Sequence, residues 1–125
     1  MNVLVVDDSR ATRAFMRRML EGEGWTVAEA ADGQLALAHV LFGEAVDVAL
    51  VDWNMPVMNG LEFIQAVRAR AEFARIKLIM MTSETETNQM SRALESGADD
   101  YMMKPFVKEA LVERIRFHTS HLTGA

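Results

Sequence analysis

The chain has no cysteine in its 125 residues. That excludes a disulfide framework, a zinc–thiolate site and a thiol nucleophile, and it suits a reducing compartment. A surplus of basic charge is also missing: 13 Lys and Arg face 18 Asp and Glu, for a formal net charge of -5. Such a chain has no electrostatic attraction for nucleic acid, so direct DNA binding is not expected. No apolar run approaches the ~20 residues that a membrane-spanning helix needs, so membrane insertion is not expected either. The N-terminus enters a strand-like run almost at once, without a basic leader or a signal-type segment. Repeats, Pro/Gly-rich linkers and low-complexity stretches are lacking as well. Half of the residues are hydrophobic and a quarter charged, a globular balance. At this size about two-thirds of the unfolded surface can be buried. The expectation is one domain over residues 1–125, located in the cytoplasm.

What the chain does have is a set of apolar runs that end on charge. Val3-Leu4-Val5-Val6 ends on Asp7 and Asp8, Val48-Ala49-Leu50-Val51 on Asp52, and Tyr101-Met102-Met103 on Lys104, which Pro105 follows. If these runs are parallel strands, their carboxyl ends share one edge, and open α/β sheets hold ligands in the crevice there. Clustered carboxylates raise one another's pKa unless a cation intervenes. A hard divalent ion with oxygen ligands, Mg²⁺ where phosphate is handled, is the simplest remedy.

The periodicity alternates between strand and helix along the whole chain. Val3–Val6, Trp25–Ala30, Val46–Val51, Ile76–Met81 and Asp100–Met103 read as strands, the second the most polar and an edge. Between and after them come helices. Ser9 caps the first, whose stripe is Phe15, Met16, Met19 and Leu20, with Gly22 and Gly24 at its end. Asp32-Gly33 opens the second and Asn59-Gly60 the third. The fourth runs from about Glu84 to Ser96 with Gly97 as a left-handed stop, and the last from about Val107 to His121. The pattern is a (βα)₅ α/β domain with a parallel sheet, doubly wound through right-handed crossovers. The fourth helix has the weakest apolar face, only Met90, Ala93 and Leu94, and is expected to be the most mobile.

Each site candidate has an ordinary reading beside a chemical one. Asp7 and Asp8 either cap the first helix, in competition with Ser9, or hold an ion. Both reach one site only where the strand has ended, since adjacent strand residues point to opposite faces. Asp52 either caps the turn before the third helix or acts as a nucleophile of the kind that forms an aspartyl-phosphate. Thr82 and Ser83 offer hydroxyls, one to cap the fourth helix and one to hold a phosphoryl oxygen. Lys104 is either a solvated loop charge or a counter-ion and phosphate ligand. Singly these signals are bland. Together they set Asp7 and Asp8, Asp52, Thr82 and Lys104 at the ends of the first, third, fourth and fifth strands. The histidines His39, His118 and His121 are scattered on helices and carry no chemical signal, and the methionines read mostly as core. Met55 and Met58 flank the Asp52 turn, where they could shape a partner's access.

With these residues in view, the chain resembles the receiver domain of two-component response regulators. The resemblance rests on Val5-Val6-Asp7-Asp8-Ser9, Val51-Asp52-Trp53-Asn54-Met55-Pro56, Met58-Asn59-Gly60, Met81-Thr82-Ser83, Gly97-Ala98-Asp99-Asp100-Tyr101 and Lys104-Pro105-Phe106, in order along the chain. The Asp-Trp-Asn-Met-Pro run and the lack of an output domain are most similar to the stand-alone, CheY-like regulators of chemotaxis. The resemblance implies a flavodoxin-like sheet of order 2-1-3-4-5. It implies that Asp52 accepts a phosphoryl group from a phosphohistidine on a sensor histidine kinase. Asp8, Asp52 and the backbone carbonyl of Asn54 would ligate Mg²⁺ (or Mn²⁺), with Asp7 acting through water. Lys104 and Thr82 would bind phosphoryl oxygens, Tyr101 would rotate inward behind Thr82, and the Lys104–Pro105 peptide would be cis. Asn54 and Glu84 would set the hydrolysis rate. Such a receiver is not an enzyme on other substrates; it catalyses its own phosphorylation and dephosphorylation. Its output surface would be the fourth helix, fifth strand and fifth helix, with Arg92, Tyr101 and Lys108 as contacts. That surface would meet a motor switch, a phosphotransfer domain or another target, as a monomer or as a weak dimer.

Three other readings stay open at this stage. A Mg²⁺ phosphohydrolase of haloacid-dehalogenase type calls for Asp-x-Asp at the first strand, where this chain has Asp7-Asp8-Ser9. An FMN binder needs a phosphate-cradling loop after the first strand, where Asp7 and Asp8 would repel it. A pseudo-receiver that binds partners without phosphorylation is disfavoured by the complete residue set.

Overall fold

A computed structural model of the chain describes residues 1–83 and 87–120. Five strands, β1 (Asn2–Val6), β2 (Thr26–Ala30), β3 (Val48–Asp52), β4 (Lys77–Thr82) and β5 (Asp100–Met103), form one all-parallel sheet of order β2-β1-β3-β4-β5. They alternate with helices α1 (Arg10–Glu21), α2 (Gly33–Phe42), α3 (Gly60–Arg68), α4 (Thr87–Glu95) and α5 (Lys108–Thr119). The α/β class, the parallel sheet and its order agree with the expectations above.

Strand alternation sorts the side chains into two cores. Leu4, Val6, Ala49, Val51, Leu78 and Met80 point to one face, where Ala36 and Val40 of α2, Phe63, Ile64 and Val67 of α3, and Ala93 of α4 cover them. Val3, Val5, Val48, Leu50, Ile79 and Met81 point to the other face, against Met16, Met19 and Leu20 of α1 and Leu111 and Ile115 of α5. Burying a side chain of this size stabilises by ~1.5–3 kcal/mol. The register carries the pattern across the sheet: Leu4 lies beside Ala49, and Ala49 beside Leu78.

The helix starts follow local chemistry. Ser9 Oγ accepts from Thr12 N–H at 3.2 Å, and Asp32 Oδ1 from Leu35 N–H at 2.8 Å. Asn59 and Glu62 form a reciprocal capping box. Gly97 has φ +114° and stops α4 in the left-handed region.

Several boundaries differ from the sequence pattern. The second strand begins at Thr26 rather than Trp25, the third at Val48 rather than Val46, and the fourth at Lys77 rather than Ile76. Ile76 is buried and Val46 and Trp25 pack against the cores. Hydrophobicity there reports burial, which starts one or two residues before ladder pairing. The fourth helix differs more. Met90 and Leu94 are 39% and 45% exposed, and Ala93 is the one side chain of α4 that is fully buried among the described residues. The expected apolar face is therefore a single small residue wide. Glu84, the expected first turn of this helix, and His121 lie outside the described residues.

Arg68, at the end of α3, ties this weak corner to the sheet. Its guanidinium donates to Gly97 O at 2.8 Å, Phe73 O at 3.2 Å, Ile76 O at 2.8 Å and Asp99 Oδ2 at 2.9 Å. Asp99 Oδ2 in turn accepts from Leu78 N–H at 2.8 Å. Charge-assisted bonds contribute ~1.5–3 kcal/mol each when partly buried. Arg68→Ala is expected to destabilise the fold by about 3 kcal/mol in urea unfolding. Arg68→Lys should recover little, because one ammonium cannot reproduce the planar fork.

Candidate functional site: an acidic pocket at the carboxyl edge

β1 ends at Val6, and the two residues past it turn into the pocket together with Asp52, the last residue of β3. One carboxylate oxygen from each of Asp7, Asp8 and Asp52 lies within 4.8 Å of the others. Asp7 is buried, Asp52 is half-buried and Asp8 faces solvent. Asp7 is fixed from several sides. Its Oδ1 accepts from Ser9 N–H at 2.8 Å, its carbonyl from Arg13 Nη1 at 2.7 Å, and its N–H donates to Ala30 O at 3.1 Å. Ser9 therefore takes the helix cap, and the Asp7 side chain braces the turn instead.

Lys104 follows β5 and reaches back across the edge. Its Nζ lies 2.9 Å from Asp7 Oδ2 and 3.4 Å from Asp52 Oδ1. Its N–H donates to Thr82 O at 2.7 Å, and the Lys104–Pro105 peptide is cis. Thr82, the last residue of β4, is 1% exposed, and Tyr101 of β5 is 8% exposed and belongs to the core on the α4 side. Tyr101 is thus already directed inward in this arrangement. Asn54 lies exposed in the turn after Asp52, and Glu84 is outside the described residues.

Burial pushes the Asp52 pKa up. The Lys104 charge pulls against that, and the Asp7 and Asp8 carboxylates add to it, leaving Asp52 raised. For Lys104 burial pulls the pKa down, but the Asp7 hydrogen bond and the charges of Asp52 and Asp7 outweigh it, leaving the ammonium raised. The donor set is three carboxylates with no nitrogen or sulfur, which fits a hard divalent cation such as Mg²⁺.

The turn after Asp52 is tightly built. Trp53 N–H donates to Met81 O at 3.2 Å, and its carbonyl accepts from Gly60 N–H at 2.9 Å. A Cβ on Gly60 would collide with the Asp52 carbonyl, so α3 can start this close to the phosphoacceptor candidate only on glycine. Val57 has φ +70°, and Met58 N–H closes a three-residue turn on Pro56 O at 2.7 Å. A β-branched residue is strained there, which the apolar Pro56-Val57-Met58 stretch did not reveal. Met58 O also accepts from Gly33 N–H at 2.9 Å, docking the turn on α2.

Sequence reading did not single out Arg13, which donates to Asp7 O and to the Glu29 carboxylate, or Arg68, which joins Phe73, Ile76, Gly97 and Asp99. It also passed over His118, whose Nε2 lies 2.8 Å from Asp100 Oδ2. Of the suggested partner contacts, Lys108 pairs with Glu23 at 3.3 Å, and Arg92 lies over the Trp53 ring.

Comparison with known proteins agrees with this architecture. Residues 3–116 match the response regulator receiver domain, and the chain belongs to that family. It is 36% identical over 116 residues to the chemotaxis protein CheY of Pseudomonas aeruginosa, covering 92% of this chain and 93% of that protein. It is 38% identical to a CheY homolog of Campylobacter jejuni, with 92% and 89% covered. Among solved structures, chemotaxis response regulator CheY4 of Vibrio cholerae superposes with a TM-score of 0.87 at 36% identity, covering 94% of this chain and 97% of that one. The chain is therefore a CheY-like receiver domain of two-component signalling. Members of this family are signalling switches rather than classical enzymes. They bind Mg²⁺ in an acidic pocket, are phosphorylated there on aspartate by histidine kinases, and act on downstream targets.

The raised Asp52 pKa has a sign that can be checked. A carboxylate whose pKa is higher folded than unfolded weakens the fold as pH rises through its ordinary value, 3.8, toward the folded one. Asp52→Asn should therefore melt at a higher temperature than the parent at pH 7 in chelator-treated buffer. The gain should shrink as pH falls and vanish below the ordinary carboxylate range. A difference that stays constant down to acid pH would mean that the Asp52 charge is not the cause.

Proposed function

We propose that Asp52 is the phosphoacceptor of one receiver domain spanning residues 1–125. The supporting observation is the Lys104 ammonium between Asp7 and Asp52 beside three convergent carboxylates. Asp52, Asp8 and the Asn54 carbonyl would hold Mg²⁺, or Mn²⁺ in its place, with Asp7 acting through water, and the bound ion would supply positive charge to offset that on the transferring phosphoryl group.

The chain's own residues do the rest. Asp52 supplies the attacking oxygen to a phosphohistidine on a sensor histidine kinase, and the P–N bond breaks as the P–O bond forms. Lys104 leaves Asp7 for a phosphoryl oxygen, and the Thr82 hydroxyl donates to another. The receiver thus catalyses its own phosphorylation, and water attack on the aspartyl-phosphate breaks its P–O bond, releasing inorganic phosphate and restoring the Asp52 carboxylate. Asn54 and Glu84 border that attack and tune its rate. Tyr101 and Thr82 carry the change to the surface of α4, β5 and α5, where a downstream protein binds. Its CheY relatives make a chemotaxis target, in the cytoplasm, the leading assignment, with a motor switch or a phosphotransfer domain as the partner class. The protein acts as a monomer or as a weak dimer through the same surface.

None of the described helices is long and apolar enough to cross a membrane. Phosphohydrolase and FMN-binding readings lose support because the nucleophile candidate lies on β3, and the loop after β1 is carboxylate-lined.

Mass spectrometry after incubation with Mg²⁺ and a small phosphodonor should show one labile phosphoryl group, absent from Asp52→Asn. Labelling that persists in that variant would remove Asp52 from the role. In Lys104→Ala, Mg²⁺ binding should survive while the Trp53 fluorescence response to beryllofluoride is lost. A normal response would take Lys104 out of the mechanism.

A further inference from the structure

Three observations converge on α4. The Arg92 guanidinium carbon lies 5.7 Å from the centroid of the Trp53 ring. Trp53 is 7% exposed, follows Asp52 directly, and joins the end of β4 to the start of α3 through its two backbone hydrogen bonds. Gln89, one turn before Arg92 on α4, has its Oε1 buried with no hydrogen-bond partner. An attractive contact and an orphaned acceptor thus act on one helix whose sole fully buried described side chain is Ala93.

A cation over an aromatic face is attractive even at a partly exposed site, and a buried acceptor without a donor is costly. The first favours the present seat of α4, and the second disfavours it. In this arrangement Lys104 is engaged by Asp7 and Asp52, so it is the one that phosphorylation has to leave.

We propose that Arg92 is a positioning residue for the switch. Its guanidinium over Trp53 couples the turn that carries Asp52 to α4 and holds that helix in the unphosphorylated arrangement, while Gln89 opposes it. This route is separate from Thr82 and Tyr101, since it runs through the residue beside the phosphoacceptor rather than through β4 and β5. It rests on Asp52 being that phosphoacceptor. Each partner has a modest effect, as a bistable helix requires: a strong tether would lock α4, and no tether would uncouple it.

The test uses the full chain with Mg²⁺ and beryllofluoride as the phosphoryl mimic, titrated by calorimetry, with melting temperatures measured in parallel. Arg92→Met should lower the beryllofluoride midpoint about three-fold, the equilibrium shift that an exposed cation–π contact supports. Arg92→Lys, which keeps a cation over the ring, should stay closer to the parent. Gln89→Leu, which removes the orphaned acceptor, should move the midpoint the other way. In a Trp25→Phe background, where Trp53 is the sole tryptophan, Arg92→Met should also change the tryptophan emission of the unliganded protein. An Arg92→Met variant that melts lower but titrates like the parent would overturn the proposal, as would equal shifts for Arg92→Lys and Arg92→Met. Failure of the parent to bind beryllofluoride in an Asp52-dependent way would instead overturn the assignment of Asp52, and this inference with it.

Discussion

The Lys104 ammonium, 2.9 Å from Asp7 and 3.4 Å from Asp52, allows three carboxylates to share one sheet edge. Parallel strands force their carboxyl ends into register, so charges that end strands must meet. Two unit charges at this separation interact by about 4 kcal/mol at an effective dielectric near 20. That scale is a large fraction of the net stability of a domain of this size. Without an opposite charge the edge would favour protonation or splaying of its acids. Burial raises the Asp52 pKa, the Lys104 charge pulls against it, and Asp7 and Asp8 add to the rise, so that the lysine does not fully offset the burial of this acid. The surplus negative charge gives the pocket its appetite for a divalent cation.

The rest of the fold is graded around that edge. On the α1 and α5 side, Met16, Leu20, Leu111 and Ile115 are almost completely buried. On the other side α3 contributes Phe63, Ile64 and Val67 at 0% exposure, whereas α4 contributes Ala93 alone among the described residues. The sheet with α1, α3 and α5 therefore forms a closely packed frame, and α4 buries little among its described residues. Local opening follows low buried contact area, so a perturbation at the edge is relieved most cheaply at α4. Arg68 sharpens the division, since it ties Gly97 and Asp99, which follow α4, to Phe73 and Ile76, which lead into β4.

The sheet and its strand-end charges were legible because they depend on one-dimensional pattern. Continuous β-branched runs mark strands buried on both faces, and a charge that ends such a run can only lie at the edge. Ser9 was readable as a cap, and Asp32-Gly33 and Asn59-Gly60 as helix starts, for the same reason: capping is chemistry between residues three apart. Strand starts slipped by one or two residues at Trp25, Val46 and Ile76, where burial and pairing part company. What stayed hidden depends on pairs remote in sequence. Nothing near Arg68 announces Gly97, Ile76 and Asp99, and nothing near Val57 announces a left-handed φ. The switch role expected of Tyr101 came from family resemblance rather than from pattern, because a phenol at a strand position looks like ordinary core.

The same grading explains how a single phosphoryl group can be enough. Inverting a 1:99 population requires about 5.5 kcal/mol of differential binding. A phosphoryl dianion taking Lys104 and a hydroxyl gains charge-assisted bonds of ~1.5–3 kcal/mol each, less what Lys104 loses on leaving Asp7. That supply covers the shift only if the element being moved resists weakly. A helix packed like α3, with three fully buried large side chains, would absorb the whole gain in lost packing. A helix whose one fully buried side chain among the described residues is Ala93, steadied by a cation over a ring and unsettled by an unpartnered buried amide oxygen, does not. On the proposed role of Asp52, the poor burial of the described part of α4 is a requirement set by the strength of the chemistry there.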